Sequence, residues 1–131
     1  MTKDFDVIIV GMGPSGLVLA GLLANYGIEV GIFEKNKSTV KEPRAVSIDD
    51  ESLRILQSFS LHKAVIKNVS QNYGSHYYDA KGKLFLKVEP NSCENGFFKR
   101  NAFDQPTFER TVRKYLENKK NIDINFSHTL V

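Results

Sequence analysis

The run Gly11-Met12-Gly13-Pro14-Ser15-Gly16 constrains this chain more than any other six residues in it. It fits G-x-G-x-x-G, a spacing that recurs by chance when it stands alone, but here the flanking residues supply the context that gives it meaning. Before it, Phe5 to Val10 is a short apolar run rich in Val and Ile, which predicts a strand buried on both faces. After it, Leu17, Ala20, Gly21 and Ala24 recur at helical spacing within Pro14 to Tyr26. Two of the four are Ala and one is Gly, so the helix can lie close to a sheet. Pro14 suits a first turn, where its missing N–H costs nothing, and Gly27 suits the left-handed position just past the last turn. Ile28 to Phe33 predicts a second strand, ending in Glu34.

Each glycine of the loop has its own mechanical reason. Gly11 permits the tight turn out of the strand, Gly13 lets a pyrophosphate approach the backbone, and Gly16 lets helix and strand pack closely. The N–H groups of the helix's first turn, which opens with Pro14-Ser15-Gly16, then hold the phosphates together with the helix dipole. Glu34 lies 18 residues after Gly16 (34 − 16), near the roughly 20 expected of an acid that accepts hydrogen bonds from ribose hydroxyls. A 2′-phosphate would meet like charge there, which disfavours NADP at this position. These residues point to a dinucleotide and leave NAD and FAD both open.

Composition narrows the class further. With 131 residues, 41% hydrophobic and 25% charged, the chain is expected to form one globular domain. The net charge of +3 is small and the lysines are spread along the chain, so no nucleic-acid partner is expected. Cys93 is the single cysteine and excludes an intramolecular disulfide. No apolar run reaches membrane-spanning length and Met1 to Asp6 has no signal-peptide character, so a cytoplasmic protein without a membrane partner is expected. His62, His76 and His128 have no ligand spacing, and no metal is expected.

Farther along, residues 35–46 read as a loop punctuated by Pro43. Ser47 is placed to cap a helix whose first turn carries Asp49, Asp50 and Glu51 and whose apolar side holds Leu53, Ile55 and Leu56, with Phe59 near its end. Residues 61–67 predict a short helical piece. Asn72 to Tyr78 and Leu84 to Val88, joined by Ala80-Lys81-Gly82-Lys83, predict an antiparallel hairpin. Residues 89–96 read as a loop and Phe97 to Phe103 as a strand. Asp104 can cap a helix with Pro106 in its first turn and a stripe of Phe108, Val112, Tyr115 and Leu116. Ile122 to Phe126 alternates like a strand, and Thr129 to Val131 reads as the start of another.

Three stretches carry a resemblance. Asp6-Val7-Ile8-Ile9-Val10-Gly11-Met12-Gly13-Pro14-Ser15-Gly16-Leu17 looks like the FAD-binding opening of flavoprotein hydroxylases. Pro43-Arg44-Ala45-Val46-Ser47-Ile48-Asp49-Asp50-Glu51-Ser52-Leu53-Arg54 and Arg100-Asn101-Ala102-Phe103-Asp104-Gln105-Pro106-Thr107-Phe108-Glu109 are more specific. Together they resemble the single-component FAD-dependent aromatic hydroxylases, and within them the 3-(3-hydroxyphenyl)propionate hydroxylase-like group. The resemblance covers essentially the whole chain and only the first part of such an enzyme.

The resemblance implies an α/β fold: a Rossmann-like FAD-binding βαβ unit with a parallel sheet, plus an antiparallel hairpin excursion over about residues 70–101, all within an incomplete domain spanning 1–131. It implies FAD as cofactor and NAD(P)H as cosubstrate of a monooxygenase that hydroxylates small phenolic or aromatic substrates. By the same resemblance Arg44 reaches the ribityl and pyrophosphate side of FAD, Gln105 contacts the ribityl chain, and Lys35 lies towards the adenosine end. The hairpin would join a substrate domain's sheet; an ordinary edge hairpin with locally packed Tyr73, Tyr77 and Tyr78 is the other reading. Two further family motifs, one with Asp-Gly and one with Gly-Asp, are not in this chain, no catalytic residue is assigned, and the chain alone is expected to be inactive. A small NAD-binding module, a nonfunctional remnant, and a related FAD-dependent reductase or halogenase are the alternatives.

Overall fold

The computed structural model describes residues 4–39 and 42–131. Its elements are β1 (Val7–Val10), α1 (Pro14–Asn25), β2 (Val30–Glu34), β3 (Ser47–Asp49), α2 (Asp50–Ser58) and α3 (His62–Ile66), followed by β4 (Val69–Ser70), β5 (Ser75–Tyr78), β6 (Leu84–Val88), β7 (Arg100–Phe103), α4 (Gln105–Leu116) and β8 (Ile122–Phe126).

The fold is α/β, built on a parallel sheet of order β1-β2-β8. Val7 stands opposite Val30 and Val10 opposite Phe33, and Val30 in turn stands opposite Ile122. Helix α1 crosses between β1 and β2 and buries Leu17, Ala20, Gly21 and Ala24, the face expected from their spacing. The small residues have a visible purpose: a Cβ on Gly21 would come within 2.9 Å of the Phe59 ring. The helix ends as Gly27 suggests. Gly27 has φ +77, its N–H donates to Ala24 O, and the N–H of Ile28 donates to Leu23 O. That pair of bonds is the Schellman arrangement.

β1 departs from expectation. Ile9 is buried, but Ile8 is 60% and Val10 58% exposed, so the strand is buried on one face only. Neighbouring strand residues point to opposite faces. Helix α1 packs on the face that Ile9 joins, while β1 sits at the edge of its sheet with the other face open. The core is centred on Leu17, Ile32, Leu53, Leu56, Phe108 and Leu116, drawn from α1, β2, α2 and α4.

A second, antiparallel sheet has the order β3-β7-β4. Only β7 is expected from the sequence; β3 and β4 are so short that pairing with β7 alone defines them. Because Ser47 belongs to β3, it is not the cap of α2. Asp49 is: its side chain accepts from Ser52 N at 2.8 Å. Ile55 likewise leaves the apolar side assigned to it and is 43% exposed. Asp104 caps α4 as expected, accepting from Thr107 N at 2.9 Å.

The hairpin β5–β6 forms a sheet of its own, separate from β7. Asp79 accepts from the N–H groups of Lys81 and Lys83 and so holds the turn. Thr129 to Val131 form no strand. Ser127 adopts φ +59, which breaks the extended geometry and turns the chain back, so that Ser127 N donates to Asn36 O and His128 N to Glu34 O. Among the described residues, no helix is long and apolar enough to cross a membrane.

Candidate cofactor site

The loop after β1 separates the three glycines by purpose. Gly11 has φ +101, a conformation L side chains rarely adopt, and a Cβ on it would meet nothing. A Cβ on Gly16 would lie 2.2 Å from Gly11 O, so the close approach of helix and loop excludes any side chain there. Gly13 differs from both. Its φ of −77 and ψ of −177 are open to any residue, and a Cβ on it would meet nothing within 4 Å. Nothing inside the protein requires glycine at this position; a ligand pressed against the backbone would.

The adjoining helix end matches that reading. Helices α2 and α4 are capped by aspartates, whereas α1 begins at Gly13 with no side-chain cap and no acid in its first turn. Pro14 has no N–H to satisfy. The first-turn N–H groups and the dipole are left for an external anion.

Glu34 is tied to this loop. Its Oε2 accepts from Met12 N at 3.0 Å, and its Oε1 accepts from Asn36 N at 2.9 Å and Asn36 Nδ2 at 2.6 Å. A carboxylate offers about four acceptor positions, so three protein contacts leave one for a hydroxyl. Partial burial works to raise the Glu34 pKa, but the N–H groups of Asn36 and Met12, the Asn36 carboxamide and the Lys35 charge outweigh it and hold it below the ordinary 4.5. Lys35 is itself exposed. Asn36 is absent from the sequence expectations. The cue was available, since an Asn two residues past a strand-end acid can reach back to it.

Arg44 and Gln105, 61 residues apart, meet here. Gln105 Oε1 accepts from both Arg44 N and Ala45 N at 2.8 Å. Its Nε2 donates to Glu109 Oε1 at 2.8 Å. Gln105 is 5% exposed and Glu109 1%. The carbonyl of Gln105 therefore serves the protein itself, and one N–H remains for a ligand. The Arg44 residue stays exposed. An apolar cleft of about 460 Å³ runs from Pro14 and Ser15 to Ala45 and Ser47, with Leu19 and Ile55 on its walls. The glycine loop and the segment that Gln105 holds thus flank one cleft.

Comparison with known proteins agrees with this geometry. The profile of the FAD binding domain matches residues 4–131. A 3-(3-hydroxy-phenyl)propionate/3-hydroxycinnamic acid hydroxylase of Comamonas testosteroni is 37% identical over 127 residues, covering 97% of this chain and 22% of that protein. The protein of the same name from Mycolicibacterium vanbaalenii is 33% identical over 129 residues, covering 98% of this chain and 23% of its own. The chain thus spans under a quarter of the curated relatives it matches. Among solved structures, p-nitrophenol 4-monooxygenase PnpA from Pseudomonas putida DLL-E4 superposes with a TM-score of 0.87 at 23% identity, over 98% of this chain and 33% of that one. The flavin-dependent monooxygenase PieE, solved with FAD and substrate, gives 0.81 at 17% identity, over 97% and 24%. Between the two dinucleotides that the loop left open, the family match selects FAD, and the chain belongs to the FAD binding domain family.

Proposed function

We propose that this chain is the FAD-binding portion of an NAD(P)H-dependent flavin monooxygenase that hydroxylates small phenolic or aromatic substrates. The observation that carries the reading is Gly13, a glycine with open space beside it at the uncapped start of α1, in a loop anchored to Glu34. The hydroxylase names of the relatives supply the substrate class.

FAD, when bound, supplies hydride acceptance and oxygen activation. The protein's own residues bind and orient it. Main-chain N–H groups of Gly13, Ser15 and Gly16 face the pyrophosphate, in a loop whose turn Gly11 and Pro14 shape. Glu34 accepts from the adenosine ribose with its remaining position, and Lys35 lies towards the adenosine end. Arg44 suits a phosphate oxygen by charge and by its planar fork of donors. Gln105 gives its remaining N–H to a ribityl hydroxyl. No residue is assigned to the chemical step.

Residues from about 70 to 101 are the excursion towards the substrate-binding part of the enzyme. The separate sheet of β5 and β6, with Tyr77, Tyr78, Phe85 and Leu86 exposed, supports this. A cytoplasmic location belongs to the same reading and is compatible with the single cysteine.

The test is titration of the purified protein with FAD and, separately, with NAD, read by flavin fluorescence and calorimetry. Saturable FAD binding that NAD does not displace is expected. Micromolar NAD binding with no response to FAD would overturn the assignment.

A further inference from the structure

We infer that Glu109 is a positioning residue for the flavin cofactor, acting through Gln105 on the main chain of Arg44 and Ala45. The inference rests on the FAD reading above and adds a residue to it.

Glu109 lies on the inward face of α4, one turn after Gln105, and is 1% exposed. A carboxyl group is seldom buried so completely without a task, because removing it from water costs several kcal/mol unless hydrogen bonds compensate (roughly 2–7 for even a neutral polar group). Its partner is Gln105 Nε2, at 2.8 Å. The arrangement has a direction. A carboxamide can be turned either way round, placing oxygen or nitrogen against a given neighbour. Two main-chain donors, Arg44 N and Ala45 N, converge on one end of Gln105 at 2.8 Å each, which suits an oxygen and repels an NH2 group. At the other end an acceptor from Glu109 suits the NH2 group and repels an oxygen. Loop and carboxyl thus select the same orientation. That orientation leaves one N–H of Gln105 for a ligand.

The consequence reaches the cofactor through Arg44. Residues 42–46 form no helix or strand; Val46 O accepts from Phe103 N at 3.1 Å, and at Arg44 and Ala45 themselves the Gln105 carbonyl holds the main chain from which the Arg44 guanidinium projects. If the acceptor at position 109 is removed, Gln105 keeps a buried, unpaired N–H and its orientation rests on the two loop amides alone. The loop amides then lose their acceptor for part of the time, and Arg44 is no longer aimed.

The test uses Glu109→Met, which keeps the volume and removes the acceptor, and Glu109→Gln, which keeps an acceptor oxygen. Amide hydrogen exchange in the cofactor-free protein reports Arg44 and Ala45 directly, and flavin fluorescence reports FAD affinity. In the wild type, both amides exchange slowly although the segment is exposed. Glu109→Met speeds their exchange and weakens FAD binding about tenfold, the range expected when a buried donor is left unsatisfied, while Glu109→Gln restores both. Fast exchange of the two amides in the wild type overturns the inference without any variant, as do unchanged exchange and affinity in Glu109→Met. Failure of the wild type to bind FAD, with the amides protected, would instead overturn the FAD reading and leave the clamp standing.

Discussion

The main-chain N–H of Met12 donates to Glu34 Oε2 at 3.0 Å, so the acid at the end of β2 anchors the loop that follows β1. The register explains why they meet. Val10 pairs with Phe33, and both strands end side by side at their carboxyl ends, where open α/β sheets place ligands. The loop is thus held in shape by the protein's own hydrogen bonds, and Glu34 keeps one acceptor position unspent.

This tie makes Glu34 a source of pH-dependent stability. Its carboxyl is held below the ordinary value of 4.5, with burial opposing and the Asn36 and Met12 N–H groups prevailing. A depressed pKa contributes stability that is fully present above the unfolded value and is lost as the pH falls through the folded one. The wild type is therefore expected to exceed Glu34→Gln in urea midpoint at neutral pH, with the gap closing once the pH drops below 4.5. A gap that stays constant from pH 7 to pH 3 contradicts this account.

Gly13→Val and Gly16→Ala are expected to fail in opposite ways. Valine at position 13 finds an allowed backbone and open space, so stability changes by no more than about 0.5 kcal/mol, yet FAD binding falls below detection because the side chain fills the phosphate approach. Alanine at position 16 meets a carbonyl oxygen at 2.2 Å and costs on the order of 1–3 kcal/mol of stability. Thermal unfolding together with FAD titration separates the two; equal FAD affinity in Gly13→Val and wild type would show that the loop is not the cradle.

Gln105→Leu removes the acceptor of Arg44 N and Ala45 N and the donor to Glu109. Leaving such buried partners unpaired costs about 1–3 kcal/mol. Urea unfolding is expected to show a loss of that size, well above the effect of an exposed substitution such as Lys35→Leu.

The caps can be told apart in the same way. Asp49→Ala and Asp104→Ala should each cost about 1 kcal/mol, since each carboxylate accepts the first-turn bond of its helix. Ser47→Ala, at an exposed position of β3, should stay within about 0.5 kcal/mol of wild type. A larger loss at Ser47 than at Asp49 would reverse the assignment.

Local chemistry was enough to place β1, α1, β2, α4 and β8. Their periodicity, the Pro14 and Pro106 starts, the Gly27 stop and the Asp104 cap each act within a few residues. Expectation failed where partners are distant in the chain. β3 and β4 exist because β7 pairs with them, which displaced the α2 cap from Ser47 to Asp49. The strand foreseen at Thr129 to Val131 is replaced by a turn at Ser127, held by Asn36 and Glu34. Ile8 and Val10 look like core residues by composition, and only their placement on the open face of an edge strand exposes them.

The sequence alone determined the glycine loop, because three glycines, a following helix and a strand-end acid lie within one contiguous βαβ unit, where Gly11 and Gly16 answer local steric needs and Glu34 a hydrogen-bonding one. Tertiary structure decided what those residues spend on one another. It assigned one of Glu34's acceptor positions to Met12, beside the two that the neighbouring Asn36 takes, turned Gln105 inward to hold the Arg44 segment, and buried Glu109 behind it. Hydrogen-bond capacity is finite and is consumed first by whatever the fold brings near. How much a site residue retains for its ligand is therefore set by neighbours from 2 to 61 positions away in the chain.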